Sequence, residues 1–232
     1  MLVLSGVTDA YQPIERKLGL TRRCLEVLVE FRNPVGIVTK NHLVTRDADL
    51  LAELARHGAA SVTVSITSLD SKLQRVMEPR TVVPARRLAA IEALAGAGVP
   101  VGVMVAPLIP GLNDHEMPAI LDAAARAGAR FAGFTVLRLP FAVKDLFVAW
   151  LERHFPERKE KVLARVRAVR GGKLSESRFH ARMRGEGPYA EQLRALFHAA
   201  ARRAGLATRP PALSTAAFRR PAAGPQLALF DG

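Results

Sequence analysis

Leu2-Val3-Leu4-Ser5-Gly6-Val7-Thr8-Asp9-Ala10-Tyr11-Gln12-Pro13-Ile14-Glu15 is the stretch on which the fold turns. An apolar run over residues 2–7 passes through a polar turn into a helix. A run that short, bounded by turn residues, reads as a buried parallel strand feeding a crossover helix. Parallel α/β folds gather their ligand sites at the C-terminal ends of such strands. Thr8, Asp9, Tyr11 and Gln12 therefore stand where a site is expected.

The plan repeats along the chain. Residues 20–31 form an amphipathic helix with Thr21 as its cap, and Cys24 falls on its apolar stripe as a small core residue. Residues 35–39 make a second strand that ends in Lys40. A helix over 46–57 carries Asp47 and Asp49 in its first turn and stops at Gly58, with His57 in a capping position. Residues 61–66 are a third strand, bringing Ser65 and Thr67 to the rim. Glu78 and Arg80 in the next loop read either as a surface ion pair or as a substrate-orienting pair. A helix over 84–97, a strand over 99–106, a Pro- and Gly-stiffened loop through Asn113, a helix over 114–127 and a strand over 131–137 ending at Arg138 complete the series. Helices over 141–154, 158–169 and 189–204 follow, and the Pro/Ala/Arg composition beyond Thr208 predicts disorder.

Five successive βα units without a hairpin signal predict an α/β fold, a partial (βα) barrel. The expected division is a barrel over 1–155, a helical C-terminal extension over 156–206 and a disordered tail over 207–232. Composition adds boundaries. The 232 residues are 49% hydrophobic, enough for a full core. No apolar run approaches a membrane span and no signal-peptide layout opens the chain, so the expected setting is the cytoplasm with no membrane partner. With 34 basic against 21 acidic residues, a formal +13, contact with polyanions such as nucleic acid is favoured, and Arg178, His180, Arg182 and Arg184 form the densest basic stretch. Cys24 is the only cysteine, which excludes an internal disulfide and any metal or iron–sulfur site built from several cysteines of this chain.

Taken together, Ser5-Gly-Val-Thr-Asp-Ala-Tyr-Gln-Pro-Ile-Glu15, Val38-Thr-Lys40, Val64-Ser-Ile-Thr67, Glu78-Pro-Arg80, Pro107-Leu-Ile-Pro-Gly-Leu-Asn113, Leu137-Arg-Leu-Pro140 and Arg170-Gly-Gly-Lys173 resemble one family. They are similar to the radical S-adenosylmethionine (radical SAM) proteins called DNA repair photolyase-like, relatives of spore photoproduct lyase, over about residues 1–206. The resemblance implies a lyase-type enzyme on a partial (βα)6 barrel. In that barrel a Cys-rich loop after the first strand binds a 4Fe–4S cluster, and S-adenosylmethionine on the cluster yields a 5′-deoxyadenosyl radical. It further implies that Lys40 and Ser65 hold the carboxylate and ribose of S-adenosylmethionine, with Thr8, Asp9, Thr67 and Arg138 lining the same cavity. No catalytic residue and no metal ligand is assigned.

Two departures shape the expectation. The family's CxxxCxxC motif is absent and the chain opens on what corresponds to the second barrel strand, so the first βα unit is expected to be missing and the isolated chain inactive. Val7 stands where spore photoproduct lyase carries its hydrogen-donating cysteine, which argues against thymine-dimer reversal by that route. In the tail, Gln226, Leu227, Leu229 and Phe230 resemble the Gln-Leu-x-Leu-Phe peptide that docks bacterial proteins on the DNA sliding clamp. Two readings follow: part of a radical SAM enzyme acting on nucleic-acid lesions, or a non-catalytic basic module that engages DNA or the clamp.

Overall fold

In the computed structural model, residues 1–5, 8–175 and 181–220 are described. The chain runs β1 (Leu2–Leu4), α1 (Glu15–Leu18), α2 (Leu20–Glu30), β2 (Val35–Thr39), a 3-10 turn at His42–Asp47, α3 (Ala48–Arg56), β3 (Ala60–Ile66), α4 (Ser71–Met77) and α5 (Pro84–Gly96). It continues through β4 (Val101–Leu108), α6 (Met117–Arg126), β5 (Phe131–Val136), α7 (Val143–His154), α8 (Lys159–Ala168), α9 (Ala181–Arg184) and α10 (Pro188–Arg203). The five strands are parallel and lie in sequence order, β1-β2-β3-β4-β5. A doubly wound sheet reverses its order at a switch point, whereas this one never does, which is how a barrel winds.

Glycine punctuates the repeat. Gly58, Gly98 and Gly128 follow α3, α5 and α6 with φ of 63°, 82° and 98°. That left-handed conformation ends each helix and turns the chain straight into the next strand.

Strand alternation gives the sheet two unlike faces. Val35, Ile37, Ala60, Val62, Val64, Ile66, Val101, Val103 and Val105 are all buried beneath the helices. The opposite face carries Gly36, Val38, Thr63, Ser65, Gly102, Met104, Gly133 and Thr135, several of them half open to solvent. Small residues there follow from crowding: a Cβ on Gly102 would lie 2.3 Å from the Phe131 ring. A second apolar cluster joins Leu73 of α4, Leu112, Leu139, Phe147 and Leu151 of α7, and Leu163 of α8, so the helices after β5 sit on the loops at the strand C-termini.

Several expectations need correction. Cys24 is exposed, because α2 turns Leu25 rather than its neighbour into the core. Thr21 does not cap α2; the Glu15 carboxylate does, accepting the Leu20 and Thr21 N–H groups at 3.0 Å each. Glu15 also pairs with Arg46, which with Arg22, Asp47 and Asp49 forms an ionic network tying α1 and α2 to the turn before α3. Tyr11 is fully buried and not at the rim, and its hydroxyl has no hydrogen-bond partner among the described residues.

The segment expected to be disordered from residue 208 instead starts as a strap. Ala207 bridges Phe131, the Ser214 N–H donates to the Gly58 carbonyl (2.9 Å), and the Arg219 N–H donates to the Phe31 carbonyl (2.9 Å). It thereby crosses beneath the strand N-termini from β5 to β2. No helix among the described residues is long and apolar enough to cross a membrane. Among the described residues β1 pairs on one side only, with Leu2 and Val3 exposed at the sheet edge.

Candidate functional site

At the strand C-termini the polar loops are stitched to one another before any ligand is considered. The Asp9 carboxylate accepts from the Tyr11 N–H (2.9 Å), the Thr39 hydroxyl (2.7 Å) and the Lys40 N–H (2.8 Å), clasping the loop after β1 to the end of β2. The fully buried Asn113 does the same between the ends of β3 and β4. Its amide donates to the carbonyls of Thr67 (2.7 Å) and Pro107 (3.1 Å) and its oxygen accepts from the Ile109 N–H (2.6 Å). Arg170, also buried, donates to the Val136 and Leu137 carbonyls at the end of β5. The rim is built rigid, as a preorganised site requires.

Inside it lies a network that centres on Glu78. The Lys40 ammonium is hydrogen-bonded to the Glu78 carboxylate and lies 3.4 Å from the Thr67 hydroxyl. Thr67 in turn is 3.0 Å from Glu78 and 2.9 Å from the Ala106 carbonyl. The other Glu78 oxygen accepts from Arg87 at 2.6 Å. Arg87, on α5 and only 1% exposed, completes its donors with the Thr81 hydroxyl (2.6 Å) and the carbonyls of Ser65 (3.0 Å) and Val82 (3.1 Å). Burial works against the charge on Glu78, but Lys40 and Arg87 outweigh it and hold the carboxyl below the usual glutamate value. One carboxylate thus serves two cations, and the network keeps a surplus positive charge.

That surplus faces a cavity of about 120 Å³ lined by Asp9, Gln12, Lys40, Asn41, Arg80 and Thr81. Arg80 stands exposed on its wall and does not pair with Glu78, so the adjacent ion pair suggested by the sequence is replaced by partners from β2 and α5. Lys40 and Arg80 outnumber the one carboxylate of the lining, Asp9, whose oxygens are occupied by the Tyr11, Thr39 and Lys40 donors, and suit the cavity to a carboxylate or phosphate.

Of the six candidate site residues, the structure brings Asp9, Lys40 and Thr67 together and ties Ser65 to them through its carbonyl on Arg87. It does not bring in the other two. Thr8 is exposed on its loop, and Arg138 is exposed with its guanidinium 3.6 Å from the Met183 sulfur. Val7 and Gln226, Leu227, Leu229 and Phe230 lie outside the described residues. Sequence reading missed Arg87, a buried arginine on a helix otherwise lined by Ala, Leu and Ile. Its signal was present: an arginine on the apolar face of a helix needs a buried acid within reach.

The fold and this rim now meet the comparisons with known proteins. A family model described as the Radical SAM superfamily matches residues 1–124. The chain belongs to the radical SAM superfamily. Among this radical SAM chain's relatives, an uncharacterized protein of Mycobacterium tuberculosis is 38% identical over 160 residues, covering 67% of this chain and 46% of the relative. An uncharacterized protein of Methanocaldococcus jannaschii is 30% identical over 159 residues, covering 68% of this chain and 58% of the relative. The chain therefore spans about half the length of the curated relatives it matches.

Solved structures of spore photoproduct lyase share the fold. One, complexed with a dinucleoside spore photoproduct, superposes with a TM-score of 0.59 at 19% identity, covering 89% of this chain and 59% of that one. A single-residue mutant gives 0.58 at 21% identity, with coverage of 84% and 57%.

The radical SAM superfamily implies S-adenosylmethionine and a 4Fe–4S cluster, and the residues here fit the two unequally. The cationic wall at Lys40 suits the carboxylate of S-adenosylmethionine. The cluster finds no donor set in this chain: it takes thiolate ligands, and the one thiol is Cys24, exposed on α2. Among the described residues no group of three or more His, Cys, Asp or Glu side chains is placed to hold a metal ion.

Proposed function

We propose that this chain is the S-adenosylmethionine-holding part of a DNA repair photolyase-like radical SAM protein, acting in the cytoplasm on nucleic-acid lesions. The observation that carries the reading is the unbalanced network at the end of β2, in which Lys40 shares one carboxylate with Arg87 and faces an open cationic cavity. Lys40 receives the carboxylate of S-adenosylmethionine there. The Ser65 side chain, on the small-residue face of the sheet, lies on the ribose side. Thr67 and Arg87 position Glu78 and so aim the Lys40 ammonium, and Asp9 shapes the loop wall. Bound S-adenosylmethionine supplies radical chemistry only with a cluster, whose thiolates come from outside these 232 residues. This chain alone is inactive.

The test is calorimetric titration of the chain with S-adenosylmethionine, beside the Lys40→Ala variant. Binding that weakens about tenfold in the variant, the worth of one charge-assisted hydrogen bond, is expected. Equal affinity removes Lys40 from the site, and absence of binding by the parent chain sinks the reading.

A second reading has its own observation. The single cysteine and the +13 charge favour a non-catalytic basic module that engages DNA, or the bacterial sliding clamp through Gln226, Leu227, Leu229 and Phe230. Loss of clamp binding on deleting residues 226–230 is the outcome expected of it.

A further inference from the structure

A second concavity lies on the flank of β5, three strand positions from Lys40's strand, or about 14 Å at roughly 4.8 Å per strand. Its volume is about 320 Å³, and Arg184, Arg194, His198 and Arg209 converge on it over a floor made by Phe134 and Phe197. The cationic residues come from the consecutive α9, α10 and strap, which the fold lays against Gly133 and Phe134 of β5, some fifty residues earlier in the chain. Phe134 and Phe197 are packed ring to ring with centroids 4.9 Å apart, so the floor is rigid. Arg194 is held by the Gly185 carbonyl at 3.3 Å and has Glu191 at 3.9 Å. Arg184 and Arg209 are exposed, and among the described residues neither has a carboxylate partner.

We propose that this concavity is a phosphodiester-binding site for a single nucleic-acid strand, separate from the S-adenosylmethionine site and independent of it. Guanidinium forks match phosphate oxygens in geometry, and two unpaired arginines facing one concavity repel each other until an anion arrives. The concavity admits a phosphate and its sugar but not the width of a duplex. Half-buried Phe134 offers the apolar wall against which a base of that strand lies, the combination of cationic groove and aromatic platform that single-strand binders use.

The experiment is fluorescence anisotropy of a labelled single-stranded oligodeoxynucleotide of about ten nucleotides, titrated with the chain over a salt series and without S-adenosylmethionine. The Arg184→Gln/Arg209→Gln double variant should bind at least about tenfold more weakly. Its slope of log K against log salt should flatten by about 1.4, two phosphates at about 0.7 each. An Arg126→Gln/Arg153→Gln variant, with the same loss of charge at exposed positions on α6 and α7, should keep both near the parent values. Equal losses in the two variants would reduce the effect to net charge and overturn the site. So would strand binding that survives the first variant intact. Occupancy by inorganic phosphate with no strand binding would also overturn it, since the concavity would then be a free-phosphate site.

Discussion

Around Glu15 the ionic network closes on itself; around Glu78 it stays open. In the first, Glu15, Asp47 and Asp49 face Arg22 and Arg46, and the surplus negative charge is taken up by the N–H groups that begin α2. In the second, Lys40 and Arg87 share the one carboxylate of Glu78, and the surplus positive charge fronts a cavity. Apart from the exposed Asp49, both are buried or half-buried, and both join elements distant in sequence. The first is finished by the backbone, whereas the second is finished only by an anion. Charge left over at a rim of parallel strands marks the working end of the molecule better than the mere presence of polar residues there.

The largest effect should come from breaking the open network at its centre. Glu78→Gln leaves Arg87 buried without its counter-charge and should cost about 3–5 kcal/mol in chemical denaturation at neutral pH. The pH dependence has a definite sign. The folded Glu78 carboxyl titrates below its ordinary value of 4.5, so its contribution is complete above that value and is lost as pH falls through the lower, folded one. Glu78→Gln should therefore remove part of the parent's acid destabilisation below about pH 4.5; identical acid limbs would show that the carboxylate is not held ionised.

Breaking the closed network sharpens the contrast. Asp47→Asn takes a buried acceptor from two arginines that can still reach water, and should cost about 2 kcal/mol while leaving S-adenosylmethionine affinity unchanged. A fall in that affinity would mean the two networks are coupled. Lys40→Ala should do the reverse, changing stability by about 1 kcal/mol or less because its side chain is already 30% exposed, with its main effect on ligand binding. The smallest effect belongs to Tyr11→Phe. Burial, the nearby Asp47 charge and a weak interaction with its carboxylate push the Tyr11 hydroxyl's pKa up, and among the described residues that hydroxyl makes no hydrogen bond of normal geometry. Its removal should be neutral or stabilise by up to about 1 kcal/mol, read as an unfolding midpoint that does not fall.

Much of the fold was legible because each βα unit announces itself through an apolar run, a polar loop and a helix closed by glycine. Lys40 and Thr67 were legible as site residues for the same reason: they occupy strand ends, and strand ends converge. What escaped was whatever depends on long-range pairing. Glu78 and Arg80 look like partners in the sequence, yet Glu78 reaches 38 residues back to Lys40 and nine forward to Arg87. Helix α4 was missed because its seven residues bury only Leu73 and Gln74, too little for a helical period to show. Cys24 was misjudged because α2 has apolar side chains on more of its surface than the core covers, with Leu20 and Val27 exposed as well. The strap was misread from composition, since proline and alanine without periodicity describe a laid-down extended segment as well as a loose one.

That strap also determines how the chain would respond to tension. A pull applied at Arg220 first loads the Arg219 to Phe31 hydrogen bond, then the Ser214 to Gly58 bond, and last the Ala207 bridge to β5. The load meets them one at a time, as in peeling tape, and not together, as in shearing a sheet. Residues 208–219 should therefore come away at low force while β1 to β5 hold, so a load applied at Arg220 lengthens this segment before it disturbs the rim around Lys40.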